Sequence, residues 1–233
     1  MKLKQIFKVF LCLFVIFSLA GCSAYKEEAN KEVEKTSLTS TNNEEATKKE
    51  NNKNEVDKMQ NLNENAGKTP VATITMENGK TIKIELDPTN APITTENFVN
   101  LASSGFYDGL TFHRIVPGFV IQGGDPEGTG YGGSENTIKG EFSENGVKND
   151  LKHTKGVISM ARSMNPDSAS SQFFIVLETS PMVSASLDGK YAAFGIVTEG
   201  IEVVDEIAAV QTNAYDAPIQ KVVMKSVEIS YKD

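Results

Sequence analysis

The stretch that decides the fold of this 233-residue chain is FHRIVPGFVIQGGD, which runs from Phe112 to Asp125. It contains two short runs of β-branched and aromatic residues, Phe112–Val116 and Phe119–Gln122. Runs of this composition and length are typical of β-strands. The stretch therefore predicts two short strands that follow each other closely.

Strand-like runs continue on both sides of this stretch. Upstream, Val71–Met76 and Thr81–Leu86 are β-prone, and the Asn78-Gly79 pair between them is a strong hairpin signal. The downstream runs of the same character are Val157–Ala161, Phe173–Leu177, Ala192–Val197 and Lys221–Tyr231. So many short strands predict a mainly antiparallel sheet, and we expect this sheet to close into a barrel.

Two segments have helical rather than strand-like spacing. The first lies between Ile93 and Gly105, where apolar residues recur at helical intervals and Thr94 or Thr95 is the expected N-cap. The second covers Ile201–Ala209. Strands outnumber these helices too far for a doubly wound α/β fold.

Composition divides the chain into three parts. Residues 1–21 have the order of a secretory leader, with a positive start and then a short apolar run. Residues 22–69 begin with Cys22 and are otherwise so polar that apolar burial cannot offset chain entropy, so we expect a disordered tether. Residues 70–233 are the part able to form a core, and their number fits one domain.

The residues around Cys22 indicate how the leader ends. Leu19-Ala20-Gly21-Cys22 resembles a bacterial lipobox, in which the cysteine is diacylated and becomes the first mature residue. An ordinary signal peptide with an incidental cysteine is the alternative. The lipobox interpretation predicts a lipid-anchored protein on the extracytoplasmic face of the cell membrane.

The charge of the chain excludes several kinds of partner. Lys and Arg number 23 against 31 Asp and Glu, which gives a formal net charge of −8. Nucleic acids bind basic faces, so we expect no nucleic-acid partner. Two cysteines and two histidines are too few for a disulfide scaffold or a Cys/His metal site. We therefore expect no metal and no cofactor.

Three features look like chemical motifs but lack the context that such motifs need. Residues Gly128 to Gly133 satisfy the G-x-G-x-x-G pattern, but no strand leads in and no apolar helix follows, so we interpret them as a flexible loop. His113 and His153 belong to neither a nucleophile elbow nor a zinc motif. We expect structural roles for both histidines and no hydrolase chemistry.

The stretch from Phe112 to Asp125 also resembles the signature of the cyclophilins, a family of peptidyl-prolyl cis–trans isomerases. Further family blocks follow in the family's order. They are Ile158-Ser159-Met160-Ala161-Arg162, Ser171-Gln172-Phe173-Phe174-Ile175, Leu187-Asp188-Gly189-Lys190-Tyr191 and Phe194-Gly195. The likeness extends over residues 70–233, and it implies an eight-stranded antiparallel barrel capped by two α-helices.

The resemblance implies a role for each residue of the site. Arg114 is the catalytic arginine, and Gln122 helps to hold it. The pocket for the proline ring consists of Phe119, Val120, Phe174 and Leu187. The extended peptide binds the Ala161–Arg162 backbone and Gln172, with Tyr191 at the rim of the pocket.

These residue types suit the reaction. Rotation about an X–Pro bond meets a barrier of about 18–20 kcal/mol that arises from amide resonance, and no covalent bond or proton has to move. Twisting leaves a lone pair on the imide nitrogen, so an apolar pocket and a fixed donor both favour the twisted form. Arg114 supplies a permanently charged donor with a rigid head group.

Four positions depart from the usual pattern of the family. Val120 replaces a methionine, Arg162 stands where many members have asparagine, and Tyr191 replaces a histidine. We expect these three changes to matter little, because they alter shape modestly, act through backbone or keep a hydrogen-bond donor. Ser186 replaces the tryptophan of cyclosporin-sensitive members, which predicts weak cyclosporin binding because a large flat contact is missing.

The sequence therefore predicts a monomeric prolyl isomerase that assists the folding of secreted or surface proteins. Its partners are proline-containing polypeptides, unfolded or extended, and the membrane through its lipid. One alternative is a chaperone or adhesin module that holds proline segments with little turnover. A purely structural surface lipoprotein would leave Arg114 without a role.

Overall fold

A computed structural model describes residue 65 and residues 67–233 of the chain. Within these residues there are eight β-strands, three α-helices and one short 3₁₀ helix at Ser143–Asn145. The strands are β1 (Thr69–Met76), β2 (Thr81–Leu86), β3 (Phe112–Val116), β4 (Val120–Gly123), β5 (Val157–Met160), β6 (Phe173–Val176), β7 (Ala193–Glu199) and β8 (Met224–Lys232). The α-helices are α1 (Pro92–Ser103), α2 (Pro181–Leu187) and α3 (Ile201–Ala208).

All eight strands belong to one antiparallel sheet, as the sequence predicts. Their order in the sheet is β3-β4-β6-β5-β7-β2-β1-β8. Strand β1 lies between β2 and β8, and Thr69 at its start pairs with Lys232 at the end of β8. Buried and partly exposed residues alternate along β1, which is the pattern of a strand with one face on the core.

The sheet is an open half-barrel, so the prediction of a closed barrel is wrong. In the described part of the chain, β3 and β8 are the edges of the sheet. The two edges approach each other near the first residues of β3 and β8. An isolated bridge joins Thr111 to Val223, and Phe112 N donates a hydrogen bond to Val222 O (2.9 Å). The register of β3 shifts between Phe112 and Arg114. The contact between the two edges is an isolated bridge and not a ladder.

Helix α1 begins at Pro92, and the prediction of a threonine N-cap is wrong. Thr94 and Thr95 lie inside the helix and are buried. The carboxylate of Glu141 takes the place of a local cap, since it accepts hydrogen bonds from Thr94 N (2.8 Å) and Thr94 Oγ1 (2.7 Å). Proline suits this first position because it has no N–H that needs an acceptor.

The described residues contain one α-helix more than the two that the sequence analysis predicts. The additional helix is α2, which begins at Pro181 and ends at Leu187. The Ser180 hydroxyl caps it by accepting a hydrogen bond from Val183 N (3.3 Å). Helix α2 carries Leu187, so it delivers one of the predicted site residues.

Aromatic rings fill the core between the sheet and helix α1. The ring of Phe98 lies 5.0 Å from that of Tyr107, 5.6 Å from that of Phe173 and 5.3 Å from that of Phe194, centroid to centroid. All four side chains are fully buried. Burial of one such side chain contributes about 1.5–3 kcal/mol. Burial also raises the pKa of Tyr107, whose hydroxyl donates to Ser171 O (3.0 Å).

The predictions of a leader, a lipidation site and most of a tether concern residues that the structure does not describe. The leader (1–21), Cys22 and the tether up to residue 64 lie outside the described residues. Among residue 65 and residues 67–233, no helix has the length and apolar character needed to cross a bilayer. In that same part, no three His, Cys, Asp or Glu side chains form a group that could hold a metal ion.

Candidate active site

Arg114 and Gln122 are neighbours because strands β3 and β4 form a hairpin. The antiparallel register pairs the two residues directly, so their side chains lie on the same face of the sheet. Arg114 Nη1 donates to Gln122 Oε1 over 3.4 Å. The Arg114 side chain is 41% exposed, so its guanidinium is open to a ligand while one branch is held.

The Gln122 amide is itself held by a second glutamine. Gln122 Nε2 donates to Gln172 Oε1 (2.8 Å), and Gln172 Nε2 donates to Gly132 O (2.7 Å). The Gln122 N–H groups thus point away from Arg114 and its carbonyl oxygen points toward it. This network fixes the orientation of both amides beside the guanidinium.

An apolar cluster lies against this polar row. We call it the Phe174 cluster. Its buried members are Val120, Val157, Phe174, Val176, Val183, Leu187 and Ala193, and Phe119, Leu151, Ala161 and Tyr191 pack against them. Strands β4 and β6 pair Gln122 with Phe174, so the polar row and the cluster meet on one face of the sheet. The arrangement offers an apolar ring site next to a charged donor.

Arg162 does not extend toward the polar row. Its Nη2 and Nε atoms donate to Lys190 O (2.7 and 3.0 Å), and its Nη1 donates to Ser163 O (2.9 Å). The guanidinium carbon lies 4.8 Å from the ring centroid of Tyr191 and 4.9 Å from that of Phe142. These cation–π contacts and hydrogen bonds lock the 190–191 segment against residues 162–163.

Tyr191 connects the Arg162 contacts to the Phe174 cluster. Its ring packs edge-on against the Phe174 ring, with centroids 5.6 Å apart. The backbone of Ala161 adds a second link, because Ala161 N donates to Gln172 O (2.9 Å). The predicted peptide-binding residues therefore form one connected wall.

His153 supports the same cluster from beneath. Its Nδ1 lies 2.9 Å from Asp188 Oδ1 and its Nε2 lies 3.0 Å from Ser159 Oγ. The order Ser–His–Asp is that of a hydrolase triad, but Ser159 is 0% exposed, so no substrate can reach its hydroxyl. Burial lowers the pKa of His153 below its usual value although Asp188 acts in the opposite direction.

The glycine-rich segment is a loop that Asp125 holds in place. The Asp125 carboxylate accepts hydrogen bonds from the amides of Glu127 (2.8 Å), Thr129 (2.9 Å) and Gly130 (2.6 Å). Burial by itself would raise the pKa of Asp125, but these amide hydrogen bonds outweigh it and hold the pKa below its usual range. A Cβ on Gly132 would lie 2.1 Å from Asp125 Oδ1, so the loop needs glycine there.

His113 lies beside this loop on β3. Both of its ring nitrogens are buried. Burial is the main reason that its pKa lies below the usual value, and the charge of Arg114 acts in the same direction while Asp125 opposes it. A neutral His113 adds no second positive charge next to Arg114.

The structure brings the predicted site residues into one region. Arg114, Gln122 and Gln172 form the polar row, and the predicted apolar residues all belong to or touch the Phe174 cluster. Cys22, the predicted lipidation site, lies outside the described residues. Sequence reasoning missed Asp216, whose Oδ2 lies 3.5 Å from Arg114 Nη2, because no local pattern links residues so far apart in sequence.

Comparisons with known proteins identify the family of this chain. A family model described as cyclophilin type peptidyl-prolyl cis-trans isomerase/CLD matches residues 71–229. The peptidyl-prolyl cis-trans isomerase ppi1 of Schizosaccharomyces pombe is 44% identical over 150 residues, which are 64% of this chain and 92% of that protein. Peptidyl-prolyl cis-trans isomerase B of Bacillus subtilis is 50% identical over 127 residues, which are 54% of this chain and 82% of that protein.

A solved structure gives the same result. The crystal structure of a Cryptosporidium parvum cyclophilin type peptidyl-prolyl cis-trans isomerase, obtained in the presence of the dipeptide Ala-Pro, superposes with a TM-score of 0.61 at 31% identity. The match covers 69% of this chain and 98% of that one. These similarities define the class of enzyme, a peptidyl-prolyl cis–trans isomerase. The family model matches more than half of the chain, and the chain therefore belongs to the cyclophilins.

Proposed function

We propose that Arg114 is the catalytic group and that it acts without covalent chemistry. In the planar X–Pro bond the nitrogen lone pair is delocalised into the carbonyl, and in the twisted bond it becomes available as an acceptor. A guanidinium that donates to this nitrogen binds the twisted form more tightly than the planar form. The observation that carries the proposal is the position of Arg114, fixed by Gln122 at the edge of the Phe174 cluster.

The Phe174 cluster is the proposed site for the proline ring. Phe119, Val120, Phe174 and Leu187 offer apolar surface to the ring, and burial of the planar imide beside them disfavours its charge-separated resonance form. The Ala161–Arg162 backbone, Gln172 and Tyr191 are the proposed contacts for an extended peptide chain. Among relatives, the Cryptosporidium parvum enzyme was crystallised in the presence of Ala-Pro, a ligand of the chemistry proposed here.

The magnitudes suit such a mechanism. The uncatalysed reaction takes tens to hundreds of seconds. An increase of about 10⁵-fold requires about 7 kcal/mol of transition-state stabilisation. One charged donor in a protected site supplies about 3–4 kcal/mol of this. Desolvation by the cluster and binding of a partly twisted chain supply the remainder.

The test is the turnover of an X–Pro peptide, followed by a protease-coupled assay or by exchange NMR. Replacement Arg114→Ala should lower turnover about 10²–10³-fold. Folding is checked by circular dichroism and by the urea midpoint. The matched control is Arg162→Ala, which removes a guanidinium that bonds Lys190 O and not the polar row, and which should leave kcat almost unchanged. Unchanged turnover in folded Arg114→Ala protein would reject the mechanism.

We propose that the enzyme works outside the cytoplasm as a lipid-anchored protein. The support is the sequence around Cys22 and the polar composition of the residues that follow. Removal of residues 1–21, diacylation of Cys22 and a tether over residues 22–69 would place the isomerase domain (70–233) about 35–40 Å from the membrane, the mean span of a flexible coil of this length. Its substrates are then secreted or surface polypeptides that emerge unfolded.

Mass spectrometry of the mature protein tests this setting independently of catalysis. The proposal predicts an N-terminal cysteine that carries acyl chains, in a protein that fractionates with the membrane. The variant Cys22→Ala should lose both properties and keep full turnover in detergent-free buffer. An unmodified Cys22 in the mature chain would reject the anchor without bearing on Arg114. Sedimentation of the domain at micromolar concentration tests the monomeric state.

A further inference from the structure

Arg114 has a second partner besides Gln122. Its Nη2 lies 3.5 Å from Asp216 Oδ2, and about two fifths of each side chain is exposed. Asp216 belongs to the connection between α3 and β8, which approaches β3 from beyond the edge of the sheet. The guanidinium is therefore held between an amide oxygen on one branch and a carboxylate on the other.

The backbone of Asp216 is attached directly to the strand that carries Arg114. Ile115 N donates to Asp216 O (2.8 Å), and Asp216 N donates to Asn213 O (3.1 Å). The Asn213 side chain closes the turn, since its Oδ1 accepts from Ala217 N (3.1 Å). The carboxylate thus starts from a backbone that is fixed relative to Arg114, although it lies on a loop.

The backbone conformation of Asp216 is unusual. Its φ of 61° lies in the left-handed region, and among residue 65 and residues 67–233 it is the one non-glycine residue with a positive φ. Glycine adopts this region without steric cost, so the turn alone gives no reason for a carboxylate. Aspartate and asparagine are the residues that tolerate it next best, and such conformations concentrate at functional sites. The contact with Arg114 supplies the reason for a carboxylate at this position.

We propose that Asp216 is a positioning residue for the isomerisation. Its carboxylate limits the orientations of the flexible Arg114 side chain by holding the Nη2 branch, while Gln122 holds the Nη1 branch. The proposal rests on the assignment of Arg114 as the catalytic group. Asp216 acts through Arg114 and touches no reacting atom. Because the pair is partly exposed, its effect is modest and is screened by salt.

The experiment compares Asp216→Asn with wild type in the X–Pro turnover assay. Asparagine keeps the shape and the tolerance for a positive φ but removes the charge. We expect kcat/KM to fall about two- to fivefold, almost entirely in kcat, because Arg114 contacts the twisted form. Asp216→Gly, which frees the backbone, should lose as much. The matched control Asp205→Asn removes a carboxylate of similar exposure from its ion pair with Lys155 and should leave both constants unchanged.

The dependence of kcat on ionic strength distinguishes a positioning role of Asp216 from a merely structural one. Rising ionic strength should lower the wild-type kcat toward the Asp216→Asn value and leave the variant almost unaffected. A loss that appears in KM alone, or equally in Asp205→Asn, would overturn the inference. Unchanged turnover in Asp216→Asn, with Arg114→Ala inactive, would also overturn it and leave the assignment of Arg114 intact. Full turnover in Arg114→Ala would instead overturn the assignment on which the inference rests.

Discussion

The rings of His153 and Phe174 lie nearly parallel, with centroids 6.1 Å apart and an interplanar angle of 22°. Phe174 is a buried member of the apolar cluster, and His153 is 1% exposed. Asp188, which bonds the other side of the imidazole, directly follows Leu187 of the same cluster. The proposed site for the proline ring therefore packs against a titratable residue.

This arrangement predicts a pH-dependent stability. The pKa of His153 in the folded protein lies below 6.5 because burial disfavours the imidazolium, against the pull of Asp188. Below that pH the unfolded chain takes up a proton that the folded chain does not, so the free energy of unfolding falls. We expect urea midpoints to decrease from about pH 7 to about pH 5, before the carboxylates titrate.

A variant distinguishes His153 from the other histidine. His113 also has a lowered pKa and contributes in the same direction. The replacement His153→Asn should remove part of the slope between about pH 7 and about pH 5 and leave the part that belongs to His113. A slope identical to that of wild type would show that His153 does not titrate differently in the two states.

The Arg162 guanidinium is predicted to stabilise the rim of the site. Arg162→Lys keeps the charge but loses the planar fork that bonds Lys190 O and stacks between Phe142 and Tyr191. We expect the free energy of unfolding to fall by about 1–2 kcal/mol. We also expect KM to rise about two- to threefold with kcat almost unchanged, because Tyr191 is a proposed contact for the peptide. Unchanged denaturation and KM would contradict this role, and the exposed Lys148→Ala serves as control.

Glu141 is predicted to stabilise helix α1 from a distance. Its side chain is 2% exposed, and its carboxylate accepts from Ile93 N (3.1 Å), Thr94 N (2.8 Å) and Thr94 Oγ1 (2.7 Å). Glu141→Ala should lower the free energy of unfolding by about 2–3 kcal/mol, since a buried cap is lost and its donors stay unpaired. Urea denaturation measures the change. An equal loss in the exposed Glu144→Ala variant would argue against capping.

Cyclosporin affinity tests the effect of Ser186, which stands where cyclosporin-sensitive cyclophilins have tryptophan. Ser186 is exposed on helix α2, where its Oγ donates to Met182 O (2.8 Å), so a larger side chain can be accommodated. Wild type should bind weakly, and Ser186→Trp should bind about tenfold or more tightly, a gain of at least about 1.4 kcal/mol. Calorimetry measures the cyclosporin affinity of both proteins. Low-nanomolar binding by wild type would show that tryptophan is dispensable.

The sequence predicts the parts of this fold that depend on local signals. The Asn78-Gly79 hairpin lies between β1 and β2 as expected, and Gly79 has a positive φ of 81°. Helix α2 also follows a local signal, since Ser180 followed by Pro181 is typical of a helix N-terminus. The sequence does not show that β3 and β8 stay unpaired, because the order of strands in a sheet depends on the tertiary structure.

In the candidate site too, local motifs are predictable from the sequence and contacts between distant residues are not. Residues that lie within family motifs, such as Arg114, Gln122 and Phe174, were found from the sequence, and they are adjacent in the sheet because of strand register. Asp216 and Glu141 were not found as partners of Arg114 and Thr94, because each acts across a long chain separation. Such contacts depend on the tertiary structure alone.

The pairing of Thr69 with Lys232 brings the two ends of the isomerase domain side by side. A short glycine-serine linker can therefore join them, and a circularly permuted chain can be opened at an exposed turn such as Asn78-Gly79. The same adjacency makes the domain suitable for insertion into a surface loop of another protein, because host entry and exit points a few ångströms apart would accept it without strain. A prolyl isomerase could in this way be installed within a slow-folding host chain.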